Sequence, residues 1–421
     1  MPPDDVVITG VGVVCPIGIG KQQVWDSLLA GRSGVGPIRL FDPAGLPVKI
    51  AAEVDDFDPK AYVKPRKNLK VMARDTQFGV SASVLACEDA RITPGSVDPE
   101  RFGVVLGADR ICGPLEESEP MYRACIVAGR FDFSLWGTEG LAVSFPLGFL
   151  KQLPNMIASH ISIAHDARGP SNTMHQTELS SLLAVSEAAQ VIQRGRADVM
   201  IAGGASSQMH PYDWVRHCVS GVLSTSSDDP ASVLRPFDAD RSGQVWGEGA
   251  AAFVVESRRH AETRGATILA RVLSWASTCE PYNGGPPKGT GLERAMSLAL
   301  DRARLGPKEV GHVNAHGLST VADDQIEARA IHACLPNVPV TAPKSCFGNL
   351  GAAGGAVEMA ASVLSFAHGV VPPTLNYRRP DPKCPVRVVH GEPMPSPLGT
   401  ALLVNWTGIG QAAAVVLGGP D

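Results

Sequence analysis

The sequence predicts an α/β protein made of two similar halves, in which helices cover both faces of the sheets. The first observation is that short apolar runs alternate with segments whose apolar residues recur at helical spacing. The second is that this alternation starts again near residue 266, without obvious repetition of the sequence. With 421 residues, 44% of them apolar, the chain can bury the core of two fused halves. We place these halves at residues 1–258 and 259–421.

In the first half, strands and helices follow one another from the start of the chain. Its first strand is the β-branched run from Val6 to Val14, which glycines interrupt. The pattern predicts helices from Gln22 to Leu29, from Thr76 to Ala90 and from Leu179 to Arg194. It also predicts buried strands from Ala197 to Ile201, ended by Gly203-Gly204, and from Ala250 to Val255.

The second half shows the same alternation of elements. A strand is predicted from Ile268 to Leu273, followed by a helix from Gly291 to Ala303. Further strands are predicted up to His316 and around Leu402 and Val415. Because strands that alternate with helices build sheets with helices on both faces, the two halves predict the same layered arrangement.

Composition and charge exclude several classes of function. A formal net charge of −5 gives no general attraction to nucleic acid. The first residues are acids and prolines rather than a basic segment with an apolar run, and no stretch is long enough to span a bilayer. We therefore expect a cytosolic protein that binds neither nucleic acid nor membrane.

Neither a metal site nor a cofactor site is expected. The nine cysteines are scattered and show no CxxC spacing for zinc or redox chemistry. Gly10 and Gly12 begin a pattern that resembles a dinucleotide-binding loop, but its third glycine is replaced by Cys15 and a proline follows. The glycines are therefore better explained by the end of a buried strand.

The most informative segment runs from Gly169 to Glu178 and reads GPSNTMHQTE. It precedes the predicted helix that ends before Gly195, so we expect a strand, a sharp turn and a helix. Such a turn projects one side chain, here Glu178, into a pocket at a helix N-terminus. The unpaired N–H groups and the helix dipole stabilise an anion there.

This segment resembles that of the β-ketoacyl-[acyl carrier protein] synthases of the thiolase superfamily, in particular the synthase II group. Their nucleophilic cysteine stands nine residues after the glycine of a similar Gly-Pro-Ser segment, and Glu178 occupies that position here. Similar blocks follow in order, namely RPFD from 235, GEG from 247, NAHG from 314 and Lys344-Ser345 with Gly348. The resemblance spans nearly the whole chain. It implies a thiolase-like five-layer α-β-α-β-α sandwich of two duplicated halves that dimerises.

The resemblance also implies an atypical catalytic triad. In the family, two histidines polarise the thioester carbonyl of malonyl carrier protein, so that carbon dioxide leaves and the enolate attacks an acyl-cysteine. His316 matches the first histidine, whereas Asn349 stands in place of the second. Because an amide N–H can also donate to an enolate oxygen, we expect decarboxylation to persist in a Glu178-His316-Asn349 site.

Glu178 is the more severe change, because a carboxylate is a poor nucleophile toward a thioester and would form a reactive anhydride. No ordinary acyl-cysteine intermediate is therefore expected. The alternatives are a general base in condensation and a buried acid in a silent site. An ionised Glu178 would repel a malonyl carboxylate by roughly 4 kcal/mol at about 4 Å and an effective dielectric constant of about 20. The sequence leaves its charge open.

Further site residues follow from the same resemblance. Lys344 is expected in the site as a buried cation that needs an acidic partner, for which Glu178, Glu248 and Glu327 are candidates. The family's glycine-rich loop with its gating phenylalanine is replaced by NWTGIGQ at 405–411, which places Thr407 at the gate. The expected lining of the substrate pocket or oxyanion site comprises Thr407, Gly408, Thr177, Ser319 and Thr320.

A basic cluster resembles the carrier-protein docking edge of the family. Its members are Lys64, Arg66, Lys67, Lys70 and Arg74. A positive patch suits an acidic acyl carrier protein, although a solvated helix face explains the same charges. The segment from 113 to 149 departs most from the family, and we expect it to form an excursion on the dimer side or over the pocket.

The sequence therefore predicts a carrier-protein-dependent acyltransferase of the β-ketoacyl synthase type in fatty-acid or polyketide synthesis. Two alternatives stay open. One is a catalytically silent partner of the chain-length-factor kind, paired with a ketosynthase that bears the cysteine. The other is a malonyl decarboxylase that primes chains. The enzyme is expected to form a homodimer, whereas the silent partner is expected to form a heterodimer with the cysteine-bearing ketosynthase.

Overall fold

The structure is a computed structural model that describes residues 5–226, 229–281, 285–396 and 398–420. The strands are β1 (Val6–Cys15), β2 (Gly18–Ile19), β3 (Val35–Pro37), β4 (Ile50–Ala52), β5 (Phe102–Ala108), β6 (Ile126–Val127), β7 (Arg130–Phe131), β8 (Ser171–Met174), β9 (Val199–Ser207), β10 (Glu248–Ser257), β11 (Ala270–Cys279), β12 (His312–Asn314), β13 (Pro339–Thr341), β14 (Val370–Val371), β15 (Arg387–Val388), β16 (Met394–Pro395), β17 (Thr400–Trp406) and β18 (Gln411–Gly418). The helices are α1 (Lys21–Leu29), α2 (Arg74–Asp89), α3 (Leu115–Ala124), α4 (Gly148–Lys151), α5 (Met156–His165), α6 (Ser180–Gln193), α7 (Pro211–Ser220), α8 (Arg258–Thr263), α9 (Thr290–Ala303), α10 (Val321–Cys334), α11 (Lys344–Phe347) and α12 (Gly354–His368).

Most of the elements predicted from the sequence are confirmed. The bounds of α1, α2, α6, α9, β1 and β10 lie within two residues of the predicted ones. Two strand ends are wrong: β9 continues through Gly203-Gly204 to Ser207, and β11 continues past Leu273 to Cys279. In β9 the glycines do not end the strand, because a Cβ on Gly204 would lie 2.3 Å from the carbonyl oxygen of Ala352. Glycine is needed there for close packing.

The main sheet consists of two parts with the same strand order. The first part runs β1-β10-β9-β5-β8 and the second β11-β18-β17-β12-β13, with β15 added at its edge. In each part the first two pairings are antiparallel and the next two are parallel. The parts join where β1 pairs with β11 at Val7↔Arg271 and Ile8↔Ala270. This common topology is that of two duplicated halves.

Helices and sheet parts form five layers. The central apolar core combines α6 and α12 with one face of each sheet part. A second core packs α2 and α5 against the outer face of the first part, and a third packs α9 and α10 against the outer face of the second part. The order is therefore α-β-α-β-α, and the thiolase-like fold expected from the resemblance is confirmed. The predicted boundary between residues 258 and 259 lies one residue after the junction of β10 and α8 and stays a prediction.

The segment between β5 and β8 carries the predicted excursion. It contains α3, the two-stranded ribbon β6–β7 and α4, and it exposes many large apolar side chains. Phe133 is 74% exposed and Phe149 is 69% exposed. A concentration of exposed aromatic residues is typical of an interaction surface. No helix in the described part of the chain is long and apolar enough to cross a membrane.

Candidate active site

Glu178 stands on a sharp turn between β8 and α6, as the sequence predicts. The preceding residue, Thr177, has a φ of 47°, which is unusual for a residue other than glycine. Ser180 holds the turn, because its hydroxyl donates to the carbonyl of Thr177 at 2.7 Å and accepts from the Gln176 N–H at 2.8 Å. A strained turn that is held in this way directs the Glu178 side chain toward the centre of the molecule.

The Glu178 carboxyl is surrounded by protein, although the residue retains some exposed surface. Burial raises the pKa of this carboxyl, and the nearby Asp109 carboxyl raises it further. Bonds from the Glu178 N–H and the Thr177 hydroxyl, and the charge of Lys344, act in the opposite direction without cancelling the rise. Glu178 therefore keeps its proton at a higher pH than an exposed glutamate does.

His316 follows β12 and is almost completely buried, at 1% exposure. Its Nδ1 atom faces the Lys344 ammonium and the Asn405 amide nitrogen, each at 2.9 Å. Both neighbours are donors, so Nδ1 accepts and the proton lies on Nε2. Burial and the charge of Lys344 lower the pKa of His316 well below its usual value, which keeps the ring neutral. The buried Nε2 atom has no hydrogen-bond partner among the described residues.

Lys344 is fixed by an acid that the sequence analysis did not consider. Its ammonium pairs with Glu358 at 2.5 Å and also donates to the carbonyl oxygen of His316 at 2.7 Å. The other carboxylate oxygen of Glu358 accepts from Asn405 at 2.7 Å. The direct ion pair is therefore not with an expected acid: Glu248 pairs with Arg74, and Glu327 accepts the backbone N–H groups of His316 and Gly317. The charge of Lys344 still acts on Glu178 and Glu327, whose pKa values it lowers.

Asn349 lies beside Glu178 and has a fixed amide orientation. Its Oδ1 atom accepts from the Gly351 N–H at 3.1 Å, so its Nδ2 atom points the other way. Nδ2 donates to Oε1 of Gln244 at 2.8 Å and lies 3.5 Å from Oε1 of Glu178. The sequence predicted Asn349 as a donor, and the structure orients it as one. Gln244 was not predicted.

A set of polar side chains lies around Gly351, next to Asn349. We call it the polar wall and define it as Asp109, Ser206, Gln208, His217, Gln244 and Asn349. Oδ2 of Asp109 accepts from Ser206 at 2.9 Å, from Gln208 at 3.0 Å and from the Ala352 N–H at 2.7 Å. Gln208 in turn contacts Nε2 of His217 at 3.0 Å through its carbonyl oxygen. Because Gly351 carries no side chain, its Cα packs directly against Oδ2 of Asp109, where a Cβ would lie 2.2 Å away.

The five predicted pocket residues occupy different positions. Thr177 and Gly408 are exposed, and Gly408 lines a surface cavity of about 480 Å³ together with Glu280, Lys288 and Arg329. Thr407 is buried at the end of β17, and its hydroxyl has no partner among the described residues. The other two hydroxyls have structural contacts: Ser319 accepts from the Arg235 N–H, and Thr320 caps α10 by accepting from the Asp323 N–H.

The basic cluster divides into two parts. Lys64, Arg66, Lys67 and Lys70 are exposed on and before the short 3₁₀ helix Arg66–Val71. Arg74 points inward instead, where its guanidinium bonds to both oxygens of the buried Glu248 at 2.6 and 2.7 Å. The exposed four form a positive surface, whereas Arg74 holds α2 against β10.

Three possible metal ligands come together although the sequence predicts no metal site. Cys112, His210 and Asp213 have ligand atoms within 4.8 Å of one another. Each of these groups already has a partner: Arg110 pairs with Asp213, the thiol of Cys112 donates to Asp213, and His210 contacts the carbonyl oxygen of Gly113. An adjacent guanidinium disfavours a bound cation, so this cluster is explained by its internal contacts.

The residues that the sequence analysis missed leave a weak signal. Glu358 is a single acid within the otherwise apolar run GGAVEMAASVL, and buried acids require a partner. Asp109 directly follows the apolar strand β5. Residues that follow parallel strands gather at one edge of the sheet, so a polar residue at this position is a candidate site residue. Nothing in the local sequence of Gln244 or Asn405 indicates their position.

Comparison with known proteins finds two family models and several relatives that match the chain. Residues 3–261 match the model of the β-ketoacyl synthase N-terminal domain, and residues 269–378 match that of the C-terminal domain. The chain is 37% identical over 422 residues, 99% of its length and 98% of the relative's, to a putative polyketide β-ketoacyl synthase 1 from Streptomyces halstedii. It is 34% identical over 393 residues, 92% of its length and 91% of the relative's, to 3-oxoacyl-[acyl-carrier-protein] synthase 2 from Synechocystis.

The same similarity extends to solved structures. The chain matches the ishigamide ketosynthase/chain length factor with a TM-score of 0.86 and 29% sequence identity. This match covers 99% of each chain. The strand order and the layers described above are therefore shared over the full length of a known protein.

Proposed function

Because the chain belongs to the β-ketoacyl synthase family, we propose that it is a ketosynthase-type enzyme acting on acyl carrier protein thioesters without an acyl-cysteine intermediate. The observation that carries this proposal is the unpartnered Nε2–H of His316, held in place by Lys344 and Asn405. A preorganised N–H in a buried site stabilises charge that develops on a carbonyl oxygen. This is the main requirement of thioester enolate chemistry. The pathway is fatty-acid or polyketide synthesis, and the compartment is the cytosol.

Decarboxylation is the first step. The thioester carbonyl oxygen of malonyl carrier protein accepts a hydrogen bond from His316 Nε2. The bond between C2 and the carboxylate breaks, carbon dioxide leaves, and its electron pair enters the enolate. Asn349 donates one N–H to Gln244 and directs the other toward Glu178, where it serves as a second donor. This step requires no nucleophile on the enzyme.

Condensation is the second step, with Glu178 as a proton donor. The enolate carbon attacks the carbonyl of an acyl thioester that is still attached to its own carrier, and a carbon–carbon bond forms. The carbon–sulfur bond then breaks, and Glu178 protonates the departing thiolate. This role fits the raised pKa of Glu178, because the protonated acid is neutral and does not repel the malonyl carboxylate. The acid role replaces the general-base role considered from the sequence alone.

Carbon dioxide release and intact-protein mass test this function, with malonyl and acyl carrier proteins as substrates. We expect the wild type to release carbon dioxide, to form a β-ketoacyl product and to gain no acyl mass. In Glu178→Gln, condensation falls about 100-fold or more while carbon dioxide is still released. In His316→Ala, both fall about 100- to 1,000-fold. An equivalent change at the exposed His390 serves as the control for His316 and leaves both rates unchanged.

A second function is favoured by the similarity to the ishigamide ketosynthase/chain length factor. In this alternative the chain is a silent partner that pairs with a cysteine-bearing ketosynthase. The outermost strand β8, with Ser171 and Asn172 exposed, and the apolar excursion offer a surface for either a second copy or such a partner. A wild type inactive in both assays, with acylation appearing only in Glu178→Cys, would establish the silent role.

A further inference from the structure

Two members of the polar wall, Gln244 and Asn349, are held next to each other by main-chain hydrogen bonds. The N–H of Asn349 donates to the carbonyl oxygen of Val245 at 2.8 Å, and the N–H of Gly247 donates to that of Asn349 at 2.9 Å. On its other side, Gln244 makes main-chain hydrogen bonds to the segment 222–224 at 2.9 and 3.0 Å. Gln244 is 6% exposed and Asn349 is 1% exposed. Their side chains therefore meet at a fixed and buried place.

The side-chain amide of Asn349 is oriented from two directions. The N–H of Gly351 donates to its Oδ1 atom at 3.1 Å, and its Nδ2 atom donates to Oε1 of Gln244 at 2.8 Å. Rotating the amide by half a turn would set donor against donor at Gly351 and acceptor against acceptor at Gln244. Because buried polar groups without partners cost free energy, these two bonds lock the orientation of the amide.

One N–H of Asn349 is left for the reaction. An amide nitrogen carries two hydrogens, and the bond to Gln244 uses one of them. The other faces Glu178, whose Oε1 atom lies 3.5 Å from Nδ2 of Asn349. A donor that is already oriented stabilises developing charge without the cost of turning during the reaction. The contact with Gln244 therefore bears directly on the role of Asn349 as a donor.

We propose that Gln244 is a positioning residue for the reaction: it holds one N–H of Asn349 and so directs the other toward the thioester beside Glu178. In this role Gln244 acts through Asn349 and contacts no reacting atom. Without the acceptor on Gln244, the Asn349 amide is free to turn away, which lowers the rate of decarboxylation more than the affinity for malonyl carrier protein. This inference rests on the proposed function in one respect, namely that Asn349 donates to the thioester carbonyl oxygen.

Carbon dioxide release from malonyl carrier protein measures this role. Gln244→Met removes the acceptor with little change in size, and we expect kcat to fall at least about 10-fold while KM changes less than about 3-fold. Gln244→Glu keeps an oxygen that accepts from Asn349, and we expect its kcat to lie within about 3-fold of the wild type. Gln193→Met, at an exposed position of α6, is the matched control and keeps the wild-type values. Equal losses in the two Gln244 variants, or no loss in Gln244→Met, overturn the inference.

A double variant tests whether Gln244 acts only through Asn349. In an Asn349→Ala background the amide that Gln244 orients is absent, so adding Gln244→Met is expected to lower kcat by less than about 2-fold. A further loss of about 10-fold in the double variant would mean that Gln244 acts by another route, and it would refute the positioning role.

Hydrogen exchange of the Asn349 side-chain amide, followed by NMR, separates this inference from the proposed function. We expect slow exchange in the wild type and at least about 10-fold faster exchange in Gln244→Met. Rapid exchange in the wild type overturns the inference without any variant. Slow exchange in a wild type that releases no carbon dioxide refutes the activity and leaves the contact standing. Release that Gln244→Met does not change refutes the positioning role and leaves the activity standing.

Discussion

The surroundings of the Glu178 carboxyl favour its protonated form. Burial raises the pKa of Glu178, and Asp109 adds to the effect. Of the two charge states that the sequence left open, these surroundings favour the protonated one. In that form, the carboxyl copies the shape of an amide without carrying a charge. The roughly 4 kcal/mol of repulsion expected for an ionised Glu178 then does not oppose the binding of malonate.

This property gives a dependence of stability on pH. Between the ordinary and the raised pKa, the folded state binds a proton that the unfolded chain has released, so the free energy of unfolding falls as pH rises. Glu178→Gln removes this contribution. We expect the variant to gain stability relative to the wild type as the pH rises above the ordinary pKa range of a glutamate. Urea unfolding at a series of pH values measures the gap, and a gap that stays constant contradicts the raised pKa.

Gly10 and Gly12 allow α2 to pack closely on β1. A Cβ on Gly12 would lie 2.0 Å from the carbonyl oxygen of Ala82, and one on Gly10 would lie 2.2 Å from that of Ala86. The sequence analysis excluded a dinucleotide loop at these glycines but expected them at the end of the strand. They lie within β1 instead, where the helix backbone approaches the strand. Sequence periodicity predicts that a helix exists, but it does not show how closely the helix packs.

The close approach of α2 to β1 predicts how a methyl group added at Gly12 affects stability. Gly12→Ala is expected to lower the free energy of unfolding by about 1–3 kcal/mol, because the methyl group forces α2 away from β1. Gly36→Ala is the matched control, since a Cβ there meets no atom within 4 Å, and we expect a change within about 0.5 kcal/mol. Thermal or urea unfolding measures both. Equal effects of the two substitutions would refute the close-approach explanation.

At the scale of the whole molecule, the candidate site is assembled from both halves. Glu178 belongs to the first half, whereas His316 and Asn349 belong to the second. The sequence predicted these three because each lies in a recognisable block. Glu358 and Asp109 lie in ordinary apolar surroundings of the sequence, and Asn405 begins the segment NWTGIGQ without any sign of its contact with His316. The contacts of these three residues depend on how distant elements pack. That information is absent from any local pattern.

The exposed basic surface gives a prediction about association. Lys64→Glu with Lys67→Glu is expected to weaken binding of an acidic carrier protein at least about 10-fold at low salt, with a smaller difference near 0.5 M salt. The pair Lys308→Glu with Lys383→Glu, which changes the net charge equally at other exposed positions, is the control. Arg74 is left unchanged, because its guanidinium holds Glu248. Equal weakening by both pairs would indicate an effect of net charge alone.

The position of β1 in the sheet has a consequence for how the chain emerges from the ribosome. Val6 pairs with Ser257 on one side, and Val7 pairs with Arg271 on the other. β1 is thus synthesised before both of these neighbours, and roughly 250 residues are added before it can pair with them, which takes on the order of 12–50 s at about 5–20 residues per second. During this time most of this apolar strand has two unpaired edges, because β2 pairs only with Val14 and Cys15. Molecular chaperones that bind exposed apolar segments are therefore expected to contact β1 in the nascent chain until β11 has been synthesised.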